Sequence, residues 1–347
     1  MSVKPKQENG AASSSYSSTG ELRRRLIIDA GARCEPPSGA HSLLLEFGFG
    51  CPAPTGKFPA VHIPLPLMGA EERAERWWYP GCVVIDAPGP VSRATCDDFQ
   101  VLAAKVAPED CEDVRSATRQ AYGLILDALA EDSAYGLVRM WNYLGGINDG
   151  NNDMERYRQF SIGRAEAFQD GRIQDGVTPV GTGIGTPEGS GLTIVGLASR
   201  RKFLPIENPL QVSAFNYPQQ YGPSSPKFSR SGILSIPGGV LFLISGTAAV
   251  VGHESASPYQ TAPQVKATLK NLSALAQAAS ERNGGSGNWA LDQRSCVRVY
   301  LRNVSDHEMV RESLSEALAV PDSQVIYLQG DICRRELMIE IEACVVI

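Results

Sequence analysis

The chain has no hydrophobic run long enough to span a membrane. The longest candidate, residues 239–251, is too short and contains a Ser-Gly-Thr sequence. No basic segment followed by an apolar one stands near the N-terminus, where serine, glycine and other polar residues dominate. We therefore expect a disordered tail at 1–22 and a cytoplasmic protein that makes no membrane contact.

Patterns typical of disulfide frameworks, metal sites and nucleic-acid surfaces are missing as well. The 8 cysteines and 4 histidines are scattered, with no CxxC pair and no metal-ligand spacing between them. We expect reduced thiols and no structural zinc. The net charge is −6 and no strong basic cluster is present, which argues against nucleic-acid binding. A few local arginines could still make one cleft attractive to a small anion.

A weak internal repeat organises the 347 residues. The segments 113–124 and 264–275 both carry apolar residues at helical spacing, which predicts two amphipathic helices. Each helix is followed by a polar loop and a strand of similar sequence, at 137–143 and 296–302. The ordered recurrence of these elements favours a duplicated unit over chance similarity between two helices.

Further elements extend both copies of this unit. A second helix is predicted in each copy, and a closing strand follows it. These helices lie around 154–168 and 306–319, and the closing strands at 192–197 and 337–346. Two hairpin strands, 231–236 and 240–245, precede the first helix of the second copy, and 41–48 and 82–86 are the candidates in the first. The order predicts an α+β fold in which each half is a mixed sheet with helices packed on one face.

The repeat divides the chain into four parts: the tail 1–22, a divergent first half 23–201, a connecting segment 202–230 and a second half 231–347. The connecting segment is too long and too aromatic for a plain linker, so we interpret it as a functional loop. The glycine-rich run 181–185 lacks a following lysine and helix. We interpret it as a turn whose backbone could contact a carboxylate, and we reject nucleotide binding.

The second half resembles the YjgF/RidA proteins. The resemblance is carried by Leu243 to Ala248, by the strand 297–301 and by the ending Glu336 to Ala343. In that ending the family pattern places a ligand-facing glutamate at Glu340. RidA deaminases carry a substrate-binding arginine fifteen residues earlier, where this chain has Val325. Imine deamination is therefore not expected.

From about residue 40 onward, the chain resembles the chorismatases. The segments that carry this resemblance are Trp141 to Asn148, Arg156 to Arg164, Gly181 to Gly185, Asn208 to Arg230, Ser245 to Thr247 and Cys333 to Glu340. The resemblance implies two fused RidA-like (chorismate-mutase-like) halves with the active site in the cleft between them. It also implies chorismate as the substrate, pyruvate as a product, no cofactor, and a monomer or small homo-oligomer.

The resemblance also assigns roles to individual side chains. Cleavage of the enolpyruvyl ether of chorismate requires cations for two carboxylates and an acid that protonates the methylene carbon. Glu340 is the predicted acid, with a pKa raised by burial among Leu337, Ile339 and Ile341. The predicted substrate-binding residues are Tyr143, Arg156, Arg164, Tyr217, Tyr221 and Arg230. From the pattern alone, a position on the solvent face of an edge strand is the better interpretation of the glutamate, and a solvated helix is the usual place for arginines such as Arg156 and Arg164.

Two further positions bear on the product. Gly246 and Cys333 look like those of the chorismatases that form 3-hydroxybenzoate, whereas the hydrolytic type carries bulkier aliphatic residues. Gly246 would leave room for the ring to shift, and Cys333 could assist proton removal, although an unperturbed thiol is mostly protonated. The expected reaction is chorismate to 3-hydroxybenzoate and pyruvate. The alternatives are hydrolysis to pyruvate and 3,4-dihydroxycyclohexa-1,5-diene carboxylate, or a non-catalytic RidA-like metabolite-binding protein.

Overall fold

A computed structural model describes residues 25–31, 36–37, 39–50, 57–69, 72–170, 173, 177–285 and 287–347. The tail predicted at 1–22 lies outside these ranges. Within them the chain forms the helices α1 (Val114–Ala130), α2 (Arg156–Gln169), α3 (Thr261–Arg282) and α4 (His307–Ala317). None of these helices is both long and apolar enough to cross a membrane.

The strands of the described ranges belong to three larger sheets and one two-stranded ribbon. In chain order they are β1 (Ile27–Gly31), β2 (Ser42–Phe49), β3 (Ala60–Ile63), β4 (Ala74–Tyr79), β5 (Val84–Asp86), β6 (Val91–Thr95), β7 (Phe99–Val106), β8 (Gly136–Gly145), β9 (Val180–Thr186), β10 (Leu192–Ser199), β11 (Phe203–Ile206), β12 (Ser231–Ile236), β13 (Gly239–Ala248), β14 (Val250–Val251), β15 (Glu254–Ser255), β16 (Ser295–Leu301), β17 (Val325–Gln329), β18 (Asp331–Ile332) and β19 (Ile339–Val346).

The sheet topology confirms the internal repeat. The seven-stranded sheet has the order β18-β9-β8-β10-β7-β6-β5, and the six-stranded sheet has the order β11-β12-β13-β19-β16-β17. The run β6-β7-β10-β8-β9 of the first sheet therefore recurs strand for strand as β12-β13-β19-β16-β17 in the second. In each run the last pair, β8 with β9 and β16 with β17, is parallel and is connected through a helix. The fold is α+β and is built from two fused halves.

The first half differs from its prediction at its hairpin strands. The segment 41–48 lies largely in β2, which belongs to a separate four-stranded sheet of order β1-β4-β2-β3. The segment 82–86 contains β5, the edge strand of the seven-stranded sheet. The true equivalents of the second-half hairpin are β6 and β7, which the sequence did not reveal.

Two segments interpreted as loops contain strands. The run Gly181 to Gly185 lies inside β9, so its interpretation as a turn is wrong. Glycine is depleted in strands, so a segment with glycine at every second position was not predicted to be a strand. The connecting segment 202–230 begins with β11, which pairs with β12, and continues through two short 3-10 helices.

The apolar residues of each half separate into an outer and an inner core. The helices α1 and α2 pack on one face of the seven-stranded sheet, and α3 and α4 pack on one face of the six-stranded sheet. The opposite faces of both sheets meet the four-stranded sheet in one central core, which includes Phe47, Trp77, Trp141 and Leu243. This arrangement places the inner side chains of three sheets in contact, far from solvent.

Candidate active site

A cavity of about 510 Å³ lies between β9 of the first half and β19 of the second. Its volume is within the range of small-molecule binding sites. The end of the connecting segment, from Tyr217 to Arg230, lines one side. The charged residues that line the cavity are Glu155, Arg158, Arg164, Arg230, Arg334, Arg335, Glu336 and Glu340. Five arginines thus face three glutamates, which favours an anionic ligand.

The glycines of β9 form part of the cavity wall. A Cβ atom at Gly181 would lie 2.6 Å from the Cβ of Phe228, and one at Gly183 would lie 3.5 Å from a ring carbon of Tyr157. Because the first distance is shorter than any ordinary carbon contact, only glycine allows the connecting segment to approach the strand this closely.

A bulge in β13 makes room for the predicted acid. The pairing of β13 with β19 changes register between Ile244 and Thr247, and Gly246 lies within this irregularity. The Gly246 N–H donates a 2.9 Å hydrogen bond to Oγ1 of Thr182. A Cβ atom at position 246 would lie 1.8 Å from Oε1 of Glu340. The glycine therefore provides the space that the carboxyl group of Glu340 occupies.

Glu340 itself is buried beside the cavity, with 4% of its surface exposed. Burial, followed by the charge of Glu342, raises its pKa to about 8. The carboxyl group is thus largely protonated at neutral pH. Its apolar strand neighbours, Ile339 and Ile341, pack in the outer core instead. The sequence predicted that Ile339 and Ile341 would bury the Glu340 carboxyl group, whereas the packing of the sheets against each other buries it.

Glu342, two residues further along the same face of β19, is in the opposite state. Its carboxylate accepts hydrogen bonds of 2.8 Å from Arg298 and 2.7 Å from the Tyr300 hydroxyl. Arg139 and Thr182 also donate to it. Burial acts to raise the pKa of Glu342, but the two arginines outweigh it and hold the pKa below its ordinary value. Two neighbouring carboxyl groups with pKa values pushed apart can serve as an acid and a fixed anion.

Arg164 is the best candidate for binding a substrate carboxylate. It lies on α2, lines the cavity and is 4% exposed. Within the described part of the chain, its Nε and Nη2 atoms have no hydrogen-bond partner. Buried donors are rarely left without acceptors, so these two N–H groups are suited to binding an anionic group of a ligand.

Arg230 and two tyrosines of the connecting segment line the same cavity. Arg230 donates to the hydroxyl of Tyr217 and to the Val212 carbonyl. Arg334 stacks on Tyr221 with 3.9 Å between the guanidinium carbon and the ring centroid. The structure therefore brings together Arg164, Tyr217, Tyr221, Arg230, Gly246, Cys333 and Glu340 among the residues selected from the sequence.

Two predicted substrate-binding residues do not reach the cavity. Tyr143 is 1% exposed in the central core, where its hydroxyl accepts a 2.7 Å hydrogen bond from Arg298. Arg156 donates to the carbonyl groups of Gly145 at 2.8 Å and Cys111 at 3.3 Å, which fixes the start of α2. The family segments that contain these residues pass near the site, but their side chains point into the supporting structure.

Cys333 lines the cavity next to Tyr157 and Glu340. Burial and the charge of Glu340 raise the pKa of its thiol to about 12. The thiol is therefore neutral at physiological pH, which disfavours the predicted assistance in proton removal.

The charged residues that surround Glu342 were not among the site residues predicted from the sequence. Arg139 and Arg298 occupy matching positions in β8 and β16, each preceded by valine in the repeated strand. This shared Val-Arg pair indicated a buried charged site, because arginine is rarely found in the middle of a buried strand. No group of three or more histidine, cysteine or acidic side chains in the described ranges is placed to hold a metal ion.

Comparisons with known proteins agree on one family. The family model for the N-terminal region of FkbO/Hyg5-like chorismatases matches residues 75–198. A 3-hydroxybenzoate synthase from Streptomyces hygroscopicus is 35% identical over 331 residues, covering 90% of this chain and 94% of that protein. A chorismatase from Streptomyces rapamycinicus is 36% identical over 281 residues, covering 79% and 83%. A crystal structure of a chorismatase superposes with a TM-score of 0.82 at 28% identity, covering 93% of this chain and 99% of that one.

Proposed function

The chain belongs to the chorismatase family, and on that premise we propose that it converts chorismate to 3-hydroxybenzoate and pyruvate. The observation that carries the proposal is the buried carboxyl group of Glu340, which faces an arginine-lined cavity and has a pKa of about 8. A protonated carboxyl group beside cations suits a substrate with two carboxylates and a bond that is cleaved by acid.

The chemical step begins with proton transfer from Glu340 to the methylene carbon of the enolpyruvyl group. The ether carbon then carries the positive charge of an oxocarbenium ion, and cleavage of a C–O bond releases pyruvate. Arg164 and Arg230 hold the substrate carboxylates, so the proton donor meets the methylene carbon in one orientation. The anion of Glu342 stabilises the cationic charge that develops during the transfer.

The product assignment rests on Gly246 and Cys333. 3-Hydroxybenzoic acid and pyruvic acid together contain the atoms of chorismic acid and no others, so the aromatising route consumes no water and no oxidant. In this route the oxygen of the neighbouring ring hydroxyl bonds to the ring carbon that carried the ether, while the C–O bond from that carbon to the departing pyruvate breaks. The former bond of the hydroxyl oxygen to the ring then breaks, and loss of the C–H proton from the carbon it has reached makes the ring aromatic. This lost proton balances the one that Glu340 donated. Gly246 lets the carboxyl group of Glu340 lie at the cavity wall with no side chain in its place, and the neutral thiol of Cys333 adds no charge beside the rearranging ring.

The proposal is tested by incubating the purified protein with chorismate and measuring pyruvate together with the ring product by liquid chromatography. Pyruvate and 3-hydroxybenzoate in equal amounts support it. Pyruvate with 3,4-dihydroxycyclohexa-1,5-diene carboxylate would indicate the hydrolase, and binding without turnover would indicate a non-catalytic protein. In D₂O the pyruvate formed should carry one deuterium in its methyl group, because the transferred proton comes from an exchangeable carboxyl group.

Two sets of variants separate the acid from the product assignment. Glu340→Gln should abolish pyruvate release, whereas Glu316→Gln, an exposed change on α4, should keep the wild-type rate. The double variant Gly246→Ala with Cys333→Val should shift the ring product toward the diene acid. Unchanged 3-hydroxybenzoate formation in that double variant would refute the role of these two positions.

A further inference from the structure

A chain of four buried charges connects all three sheets behind the cavity. Arg298 of β16 donates from Nε to Glu75 of β4 at 2.7 Å and from Nη1 to Glu342 of β19 at 2.8 Å. Arg139 of β8 donates to the other oxygen of Glu342. The four side chains are between 1% and 4% exposed. Two positive and two negative charges are thus balanced inside the central core.

The repeat explains why a fourth member is needed. In the second half, Arg298 stands opposite Glu342 and Tyr300 opposite Glu340. The equivalent pairs in the first half are Arg139 with Leu197 and Trp141 with Val195. The first half has therefore kept its arginine but carries apolar residues at both glutamate positions. Both arginines contact the single carboxylate of Glu342, which alone can neutralise only one of them.

The second counter-charge comes from outside the repeat. Glu75 belongs to the four-stranded sheet, which has no equivalent in the duplicated unit. Its Oε1 accepts a 2.7 Å hydrogen bond from the Trp77 indole, so Oε2 is directed at Arg298. This geometry fixes a negative charge at the far side of the arginine that holds Glu342.

We propose that Glu75 is a positioning residue that keeps Glu340 in its acid form by balancing the charge of Arg298. The proposal rests on the function proposed above. If Glu75 were neutral, the buried group behind Glu340 would carry an excess positive charge, and a positive charge favours the carboxylate. The four-stranded sheet would then do more than complete the core, because it would set the protonation state of the active site.

Other groups face Glu340 and must remain constant in any test. The side chains that interact electrostatically with Glu340 come from several elements: Glu342 on the same strand, Arg139 on β8, Arg230 before β12, Cys333 after β18 and Tyr157 on α2. Glu75 and Arg298 are not among the residues that line the cavity. Their substitution therefore alters the charge behind the acid without removing a cavity-lining group.

The experiment compares the alkaline limb of the kcat/KM profile for chorismate, which reports the pKa of the acid in the free enzyme. Glu75→Gln should move this limb to lower pH by about one unit, because one negative charge is lost. Arg298→Met should move it to higher pH, because one positive charge is lost. The double variant restores the balance and should return the limb close to the wild-type position. Glu46→Gln, which breaks the Glu46–Arg76 pair of the same four-stranded sheet, is the matched control and should not move it.

A purely structural role of Glu75 predicts a different pattern. Shifts of the same sign in both single variants, or no shift in a folded Glu75→Gln protein, would overturn the proposal. Thermal unfolding identifies the folded variants, and one folded single variant is enough to determine the direction in which the alkaline limb shifts. If neither single variant folds while the double variant does, the four buried charges serve only the stability of the fold and the proposal is wrong. Full turnover by Glu340→Gln would instead refute the assignment of the acid, so the two failures are distinguishable.

Discussion

Replacing Glu340 by glutamine should stabilise the folded protein in a pH-dependent manner. Burial raises the pKa of Glu340 to about 8 from an ordinary value of 4.5. Below pH 4.5 the folded and unfolded chains both hold the proton, and the group contributes no pH dependence. Between 4.5 and 8 only the folded protein keeps the proton, so the free energy of unfolding of the wild type falls as the pH rises. Above pH 8 both states have lost the proton, and the free energy of unfolding no longer changes through this group.

The size of the effect follows from the shift. At pH 7 the raised pKa lowers the stability of the wild type by about 3 kcal/mol relative to an acid with an ordinary pKa. Glutamine has a similar shape and does not ionise, so the variant escapes this loss. Its buried amide has a desolvation penalty of its own, but that penalty is the same at every pH. The slope of the stability difference against pH is therefore diagnostic, rather than its absolute value.

The assay is urea unfolding of both proteins at several pH values between 4 and 8.5. The advantage of Glu340→Gln should grow by about 3 kcal/mol between pH 4 and pH 7, continue to grow up to about pH 8, and level off above it. Glu316→Gln, at an exposed position on α4, provides the control and should show no such slope. A stability difference that stays constant over this range would mean that the carboxyl group titrates alike in both states. That result would refute the buried acid, whatever the activity of the variant.

Three further outcomes follow from the geometry. Gly246→Ala should lower kcat at least about 10-fold without unfolding the protein, because its Cβ would displace the acid's carboxyl group, and Gly123→Ala, a helix position with open space, should leave the rate unchanged. Arg164→Met should raise KM by about 100-fold and also raise the melting temperature, because a buried cation with unpaired donors at Nε and Nη2 is removed; an unchanged KM would exclude this residue from binding. Ser257→Gly and Tyr259→Gly, at φ angles of 46° and 60°, should each stabilise the fold by about 1 kcal/mol. Of these two, only the Tyr259 variant, at the cavity, should also raise KM.

The sequence determined those features that depend on neighbouring residues. The helices α1 to α4 and the strands β8, β10, β12, β13 and β16 were predicted near their observed positions, because apolar spacing records which face of an element is buried. The matching order of elements revealed the duplication. The family resemblance selected Glu340, Arg164 and Arg230, although the pattern alone left each of them open to an exposed role.

The tertiary structure decided what depends on contacts between distant segments. The sequence separation between Arg139 and Glu342 is 203 residues, and that between Glu75 and Arg298 is 223. No local pattern records such a pair, because each partner gains its counter-charge only when the sheets pack together. The same holds for Tyr143 and Arg156, whose side chains support the site from behind, and for the glycines of β9. Local periodicity fixes which residues are buried, whereas the packing of the three sheets fixes what they are buried against.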